Sequence, residues 1–154
     1  MLRITVLLLM AGLACRNDVQ RTPSDSAFAN LQARGESAMG VDQYTSAHRF
    51  EPLPDGGRIE LQRDTADREG VENIRAHMRD IASRFSRGDF TIPGFVHARD
   101  VPGTRVMAER KDQITYEARE LPGGGEVRIR ATDSGAVRAI HEFLAFQRSD
   151  HRAH

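Results

Sequence analysis

The chain has one cysteine, Cys15, and one lysine, Lys111, and its 22 basic and 22 acidic residues cancel. A single thiol excludes a disulfide framework and any zinc centre built on cysteines. Zero net charge removes the electrostatic argument for nucleic acid or an anionic surface as partner. The arginines would suggest an RNA-binding tail if clustered, but they are spread along the chain, so no nucleic-acid partner is expected. Long apolar runs are equally scarce. The run from Ile4 to Leu13 falls well short of the roughly 20 residues that a membrane-spanning helix needs. No HExxH motif and no GxSxG elbow is present. The glycine-rich stretches fall between strands rather than before a helix N-terminus, so they read as turns and not as phosphate cradles.

What the N-terminus does contain is informative. Arg3, the apolar run and the small residues after it have the order of a secretory leader. Ala11-Gly12-Leu13-Ala14-Cys15 resembles the lipobox of bacterial lipoproteins, in which the cysteine becomes the lipidated N-terminus. The usual box has a large aliphatic residue where Gly12 stands, so a plain signal peptide cut near Ala14 is the rival. The expected organisation is a signal peptide over 1–14, a lipidation site at Cys15, a flexible tether over 15–38 and one domain over 39–154. The tether is polar and poor in large apolar side chains, with a short helix near Ala27–Arg34 as its one expected element. The expected location is the periplasmic face of the envelope, as a lipoprotein held to the outer membrane by its lipid anchor. A soluble periplasmic or secreted protein is the alternative.

The domain contains an internal repeat. LPDGGRIEL (53–61) and LPGGGEVRI (121–129) align without a gap, and residues before each turn alternate: Tyr44, Ser46, His48 and Phe50 in one copy, Ile114, Tyr116 and Ala118 in the other. Each copy therefore predicts a β-hairpin. An amphipathic helix follows each hairpin, with Val71, Ile74, Met78, Ile81 and Phe85 on one face of the first and Val137, Ile140 and Leu144 on the second. The first helix should stop near Gly88, and Asp133 or Ser134 should cap the second. A hairpin with one helix is too small to stand alone. The expected fold is α+β: duplicated β-β-α units forming a four-stranded antiparallel sheet with two helices on one face. The connector 88–112 should be irregular, with a short helix around Thr104–Arg110.

Chemistry, if any, rests on six histidines: His48, His77, His97, His141, His151 and His154. Alternation points His48 toward the helix-covered face. His77 and His141 lie at the edges of their helices' apolar stripes, and His97 sits in the connector beside Phe95 and Val96. Imidazoles converging from strand, helix and loop can ligate zinc, copper or iron. Met107 and Asp42 could add a soft or a hard ligand. Each histidine also has an ordinary structural role open to it, hydrogen-bonded to a carbonyl. His151 suits a helix C-terminus, His154 a frayed end, and Met78 the core. Asp80, three residues after His77, could orient that ring. No thiol nucleophile remains if Cys15 is lipidated or removed, and no catalytic residues are assigned.

From Met39 onward the chain resembles a small family of exported bacterial proteins through MGVDQYTSAHRF (39–50), IRAHMRDIASRFSRGDF (74–90), GFVHARDVPGT (94–104) and AIHEFLAFQRSDH (139–151). The resemblance implies a run of histidines at His48, His77, His97, His141 and His151. Family members often have a second histidine beside the one at 48 and another three residues after the one at 77; this chain has Ala47 and Asp80 there. An aspartate carbamoyltransferase label carried by some such sequences does not fit, because that chemistry needs a larger two-domain α/β enzyme with a phosphate motif that is missing here.

The leading expectation is a lipid-anchored envelope protein that binds a transition metal, copper before zinc, through His48, His77 and His97, completed by His141 or Met107. Its role would be metal handling or sensing. The second is an interaction module with structural histidines, whose helix-free sheet face or edge strand meets an envelope protein or a second copy. A metal-assisted hydrolase is third.

Overall fold

The structure is a computed structural model and describes residues 23–153. The signal-peptide and Cys15 assignments, and His154, lie outside the described residues. Helix α1 spans Pro23–Met39, and a 3-10 turn covers Gln43–Thr45. Strands β1 (Ala47–Leu53) and β2 (Gly56–Gln62) are followed by α2 (Arg68–Ser86), α3 (Thr91–His97) and α4 (Thr104–Glu109). Strands β3 (Ile114–Leu121) and β4 (Gly124–Ala131) and helix α5 (Ser134–Asp150) complete the chain.

The α+β fold is the one the repeat implies: two hairpins form a four-stranded antiparallel sheet in the order β1-β2-β4-β3. Both hairpins close through two-residue turns, with Leu53 opposite Gly56 and Leu121 opposite Gly124. The inner strands pair so that Ile59 lies opposite Val127, and the repeat alignment equates these same two positions. A pseudo-twofold axis therefore passes between them, and the contact is self-complementary in the manner of a symmetric dimer interface.

The helices are exchanged between the repeats. Helix α2 leaves the first hairpin and packs mainly on β3 and β4, while α5 packs on β1 and β2. Val71, Ile74, Met78, Ile81 and Phe85 are buried on α2, and Ile140, Phe143 and Leu144 on α5. Asp67 and Asp133 cap the two helices in the same way, each accepting a hydrogen bond from the N–H three residues on. The opposite sheet face carries arginine and glutamate instead: Arg58 pairs with Glu51 at 2.7 Å, and Arg130 with Glu117 at 3.0 Å. That face is thus not the apolar patch an interaction module would use. Among the described residues the exposed large hydrophobics are Tyr44 and Phe95, on separate elements.

Three expectations need correction. From Pro23 the supposed tether is a 17-residue helix. It is anchored by the burial of Leu31 and Gln32 and by Arg34, whose Nε donates to the Val96 carbonyl at 2.7 Å. Burying one leucine and one glutamine, with a single arginine hydrogen bond to α3, leaves almost no periodic apolar signal. The connector contains α4 where a helix is expected, but also α3. Pro93 and Gly94 do not prevent it, because Pro93 falls in the first turn, where an N–H has no helical acceptor. Tyr44 is not on the strand; it lies in the 3-10 turn capped by Asp42 and is exposed.

Gly103 enters α4 with φ of +81°, and a Cβ there would lie 2.1 Å from the Ala139 carbonyl oxygen of α5. Gly94 in α3 has no atom nearer than 4.0 Å to its Cβ position. Gly103→Ala should lower the unfolding free energy by more than about 1 kcal/mol, while Gly94→Ala should be neutral or stabilising by up to about 1 kcal/mol. Urea titration of both variants checks this.

Candidate histidine-lined site

The interior between the two main helices and α3 does not close completely. A cavity of about 70 Å³ remains, reached by His48 from β1, His77 from α2, His97 from α3 and His151 from the end of α5. Three of these, His48, His77 and His97, are the residues expected to converge. His151 joins them. The rest of the wall is apolar and includes Phe50, Phe85 and Phe143. Two thioethers also face it, Met39 at the end of α1 and Met78 on α2.

The rings are arranged as an aromatic cluster. His48 stacks on His151 at 5.0 Å between centroids, and His97 meets the His151 ring edge-on at 5.1 Å. Phe50 lies against both His48 and His151. His48 Nε2 and His151 Nδ1 are buried with no hydrogen-bond partner. They are two of eight such side-chain atoms among the described residues, and the two that share this cavity.

His97 differs. Its Nδ1 lies 2.5 Å from Asp150 Oδ2, and its Nε2 lies 2.8 Å from Gln147 Oε1. A carboxylate only accepts, so Nδ1 carries the proton. Asp150 is in turn held by Arg99 at 3.0 Å. Both nitrogens of His97 are engaged, which makes it a brace for the His151 ring rather than a free donor of lone pairs.

Burial decides the charge of the other three. It lowers His48 to about 4, assisted by the charge on nearby His77, and lowers His77 to about 4, partly opposed by Asp80. His151 falls to about 3 through burial, then through His48 and His97. Asp80 itself receives Arg84 Nε at 2.9 Å, so its effect on His77 is through space, not by a hydrogen bond. All three rings are neutral near pH 7 and keep a nitrogen lone pair.

The remaining candidates lie elsewhere. His141 faces the first turn, with Nε2 2.9 Å from the Leu53 carbonyl. Its counterpart in the repeat is Arg75, whose Nη2 donates to the Leu121 carbonyl at 2.9 Å. Each side chain fastens its helix to the other repeat's hairpin, which accounts for His141 structurally. Met107 is fully buried in the core, and Asp42 accepts from the Tyr44 N–H. None of the three lines the cavity. Among the described residues no three His, Cys, Asp or Glu side chains stand in a ready metal-binding arrangement. The stacked pair presents ring faces, not converging lone pairs.

The pseudo-twofold reveals why the cavity is unusual. Aligned on the hairpins His48 matches Tyr116, and aligned on the helix caps Asp67 and Asp133, two residues out of that register, His151 matches Phe85. Tyr116 and Phe85 pack edge to face at 5.8 Å. One half of the molecule has a tyrosine–phenylalanine pair, its hydroxyl also buried without a partner, and the other a pair of imidazoles. The hairpin alignment extended without a gap sets Ser83 against His151, so the match to Phe85 emerges only from the two-residue shift between the helix caps; hydrophobic patterning alone placed His151 at a helix end.

These histidines have folded-state values below the ordinary one, so the unfolded chain binds protons first. Their contribution is complete above about pH 6.5 and is lost as pH falls toward about 4. Stability should drop by about 1–2 kcal/mol per histidine between pH 7 and pH 5. The His48→Tyr, His151→Phe double variant, copied from the other half, should flatten that acid limb in thermal melts across the same range. No family model, curated protein or solved structure matches the chain, so the geometry of this site carries the functional reading.

Proposed function

We propose that the protein is an exported, lipid-anchored envelope protein that binds a soft transition-metal ion in the histidine cavity, cuprous copper before zinc. The observation that carries the reading is the pair of orphaned nitrogens, His48 Nε2 and His151 Nδ1, on stacked rings of one cavity. The leader-like N-terminus and Cys15 support the location.

The ligand set that fits is His48, His151 and His77, with Met39 or Met78 as a thioether donor. It replaces the expected completion by His141 or Met107 and releases His97 to a bracing role. Thioether and imidazole together favour cuprous copper, whereas a carboxylate-rich site would suit harder ions. Binding requires the stacked rings to turn until their lone pairs converge. Giving up a ring stack costs about 0.5–1.5 kcal/mol. That is small beside the roughly 10–16 kcal/mol available to a structural metal site. No proton need be displaced near neutrality, because burial has already made the rings neutral. Acid should release the metal.

Anaerobic titration of Cu⁺ and Zn²⁺ into metal-free protein, with metal content by mass spectrometry, tests this. One Cu⁺ per chain and a rise in melting temperature are expected. Both should be lost in His48→Tyr, His151→Phe, which keeps the core filled. Unchanged copper uptake in that variant, or none in the parent, would contradict the reading.

A further inference from the structure

Outside the cavity, a surface groove of about 520 Å³ runs between α1, the segment after α3 and the end of α5. It is lined by Arg34, Arg99 and Arg152, and His97 forms the wall it shares with the histidine cavity. We propose that this groove binds an organic carboxylate.

Arg99 is paired with Asp150, which also lines the groove, and Arg152 faces Asp25, while Arg34 meets a carbonyl. Arg34 gives Nε to the Val96 carbonyl. Arg152 lies over the Phe28 ring at 4.2 Å, with Asp25 at 3.7 Å. Arg99 lies over Phe146 at 4.6 Å and reaches Asp150, whose other oxygen faces His97. Three guanidiniums against two carboxylates leave a positive surplus. Arginine forks match the planar pair of carboxylate oxygens.

Two left-handed backbone positions border the same groove. Among the described residues, the non-glycines with positive φ are Ala98 (51°) and Arg152 (52°). The first immediately precedes Arg99. The second ends α5 in a Schellman turn, with Ala153 N–H donating to the Arg148 carbonyl and Arg152 N–H to that of Ser149. Glycine is the usual residue there, yet an arginine holds the position. Ala27, Phe28 and Leu31 from α1 form an apolar wall beside the cations. That wall suits a carbon skeleton and selects an organic anion over an inorganic one.

Thermal-shift titration of the full, metal-free chain with hexanoate tests the proposal, with chloride balancing ionic strength and inorganic phosphate as a second probe. Working without metal keeps this outcome separate from that of the copper site. A saturable rise with hexanoate is expected. Its apparent Kd should weaken at least about tenfold in Arg99→Gln, Arg152→Gln. If that double variant fails to fold, Arg99→Gln alone should show the loss, since the side chain is exposed. A response no larger than that to chloride, one undiminished in the variants, or phosphate binding as tightly as hexanoate would overturn the assignment.

Discussion

Everything in this fold depends on the reciprocal exchange of helices about the Ile59–Val127 pair. Each hairpin has one apolar face, and the helix that follows it packs mainly on the other hairpin. A single β-β-α unit would leave both its sheet face and its helix stripe in water, and hairpins of this size are marginal alone. Joining two units across a pseudo-twofold gives one shared core. Leu61, Ile74, Ile129, Ile140 and Leu144, all essentially inaccessible, come from both repeats. On the outer face arginines and glutamates pair with one another across the strands.

Symmetry also makes the departure from it visible. Tyr116 and Phe85 fill one side of the core, the Tyr116 hydroxyl buried without a partner, while the equivalent positions on the other side hold His48 and His151. Replacing aromatic rings with imidazoles there works against stability. The rings lose hydration, two nitrogens are left without partners, and their protonation is suppressed. An arrangement that disfavours the empty protein is expected where a ligand restores the balance. His97, braced by Asp150 and Gln147, fixes the edge of His151 and separates the cavity from the arginine groove.

Much of the architecture could be read from the amino-acid order. The two LPxGG turns, the alternation before and after them and the helical stripes from Val71 to Phe85 all obey simple periodicities, and each is where those rules place it. The full extent of α1, beyond the short helix expected near Ala27–Arg34, and the whole of α3 were illegible for a physical reason. Their positions depend on a buried Leu31, a buried Gln43 fitted against Gly35 and the Arg34–Val96 hydrogen bond, none of which has a period. At the site, the strand phase of His48 and the edge position of His77 correctly suggested that they face the interior. His141 lies at a similar helix edge, yet its nitrogen goes to a carbonyl; only the comparison with Arg75 explains it. Met39 carried no signal because it belongs to a helix that patterning did not show.

The central claim is that the cavity's imidazoles and thioethers can turn to meet one soft metal ion. X-ray absorption of the anaerobic Cu⁺-loaded protein tests it most directly, because it counts nitrogen and sulfur neighbours without reference to stability or activity. Two or three imidazole nitrogens at about 2.0 Å and one sulfur are expected, with the sulfur lost in Met39→Leu, Met78→Leu. A copper shell of oxygen alone, or one unchanged when His48 and His151 are replaced, would place the metal elsewhere and contradict the account.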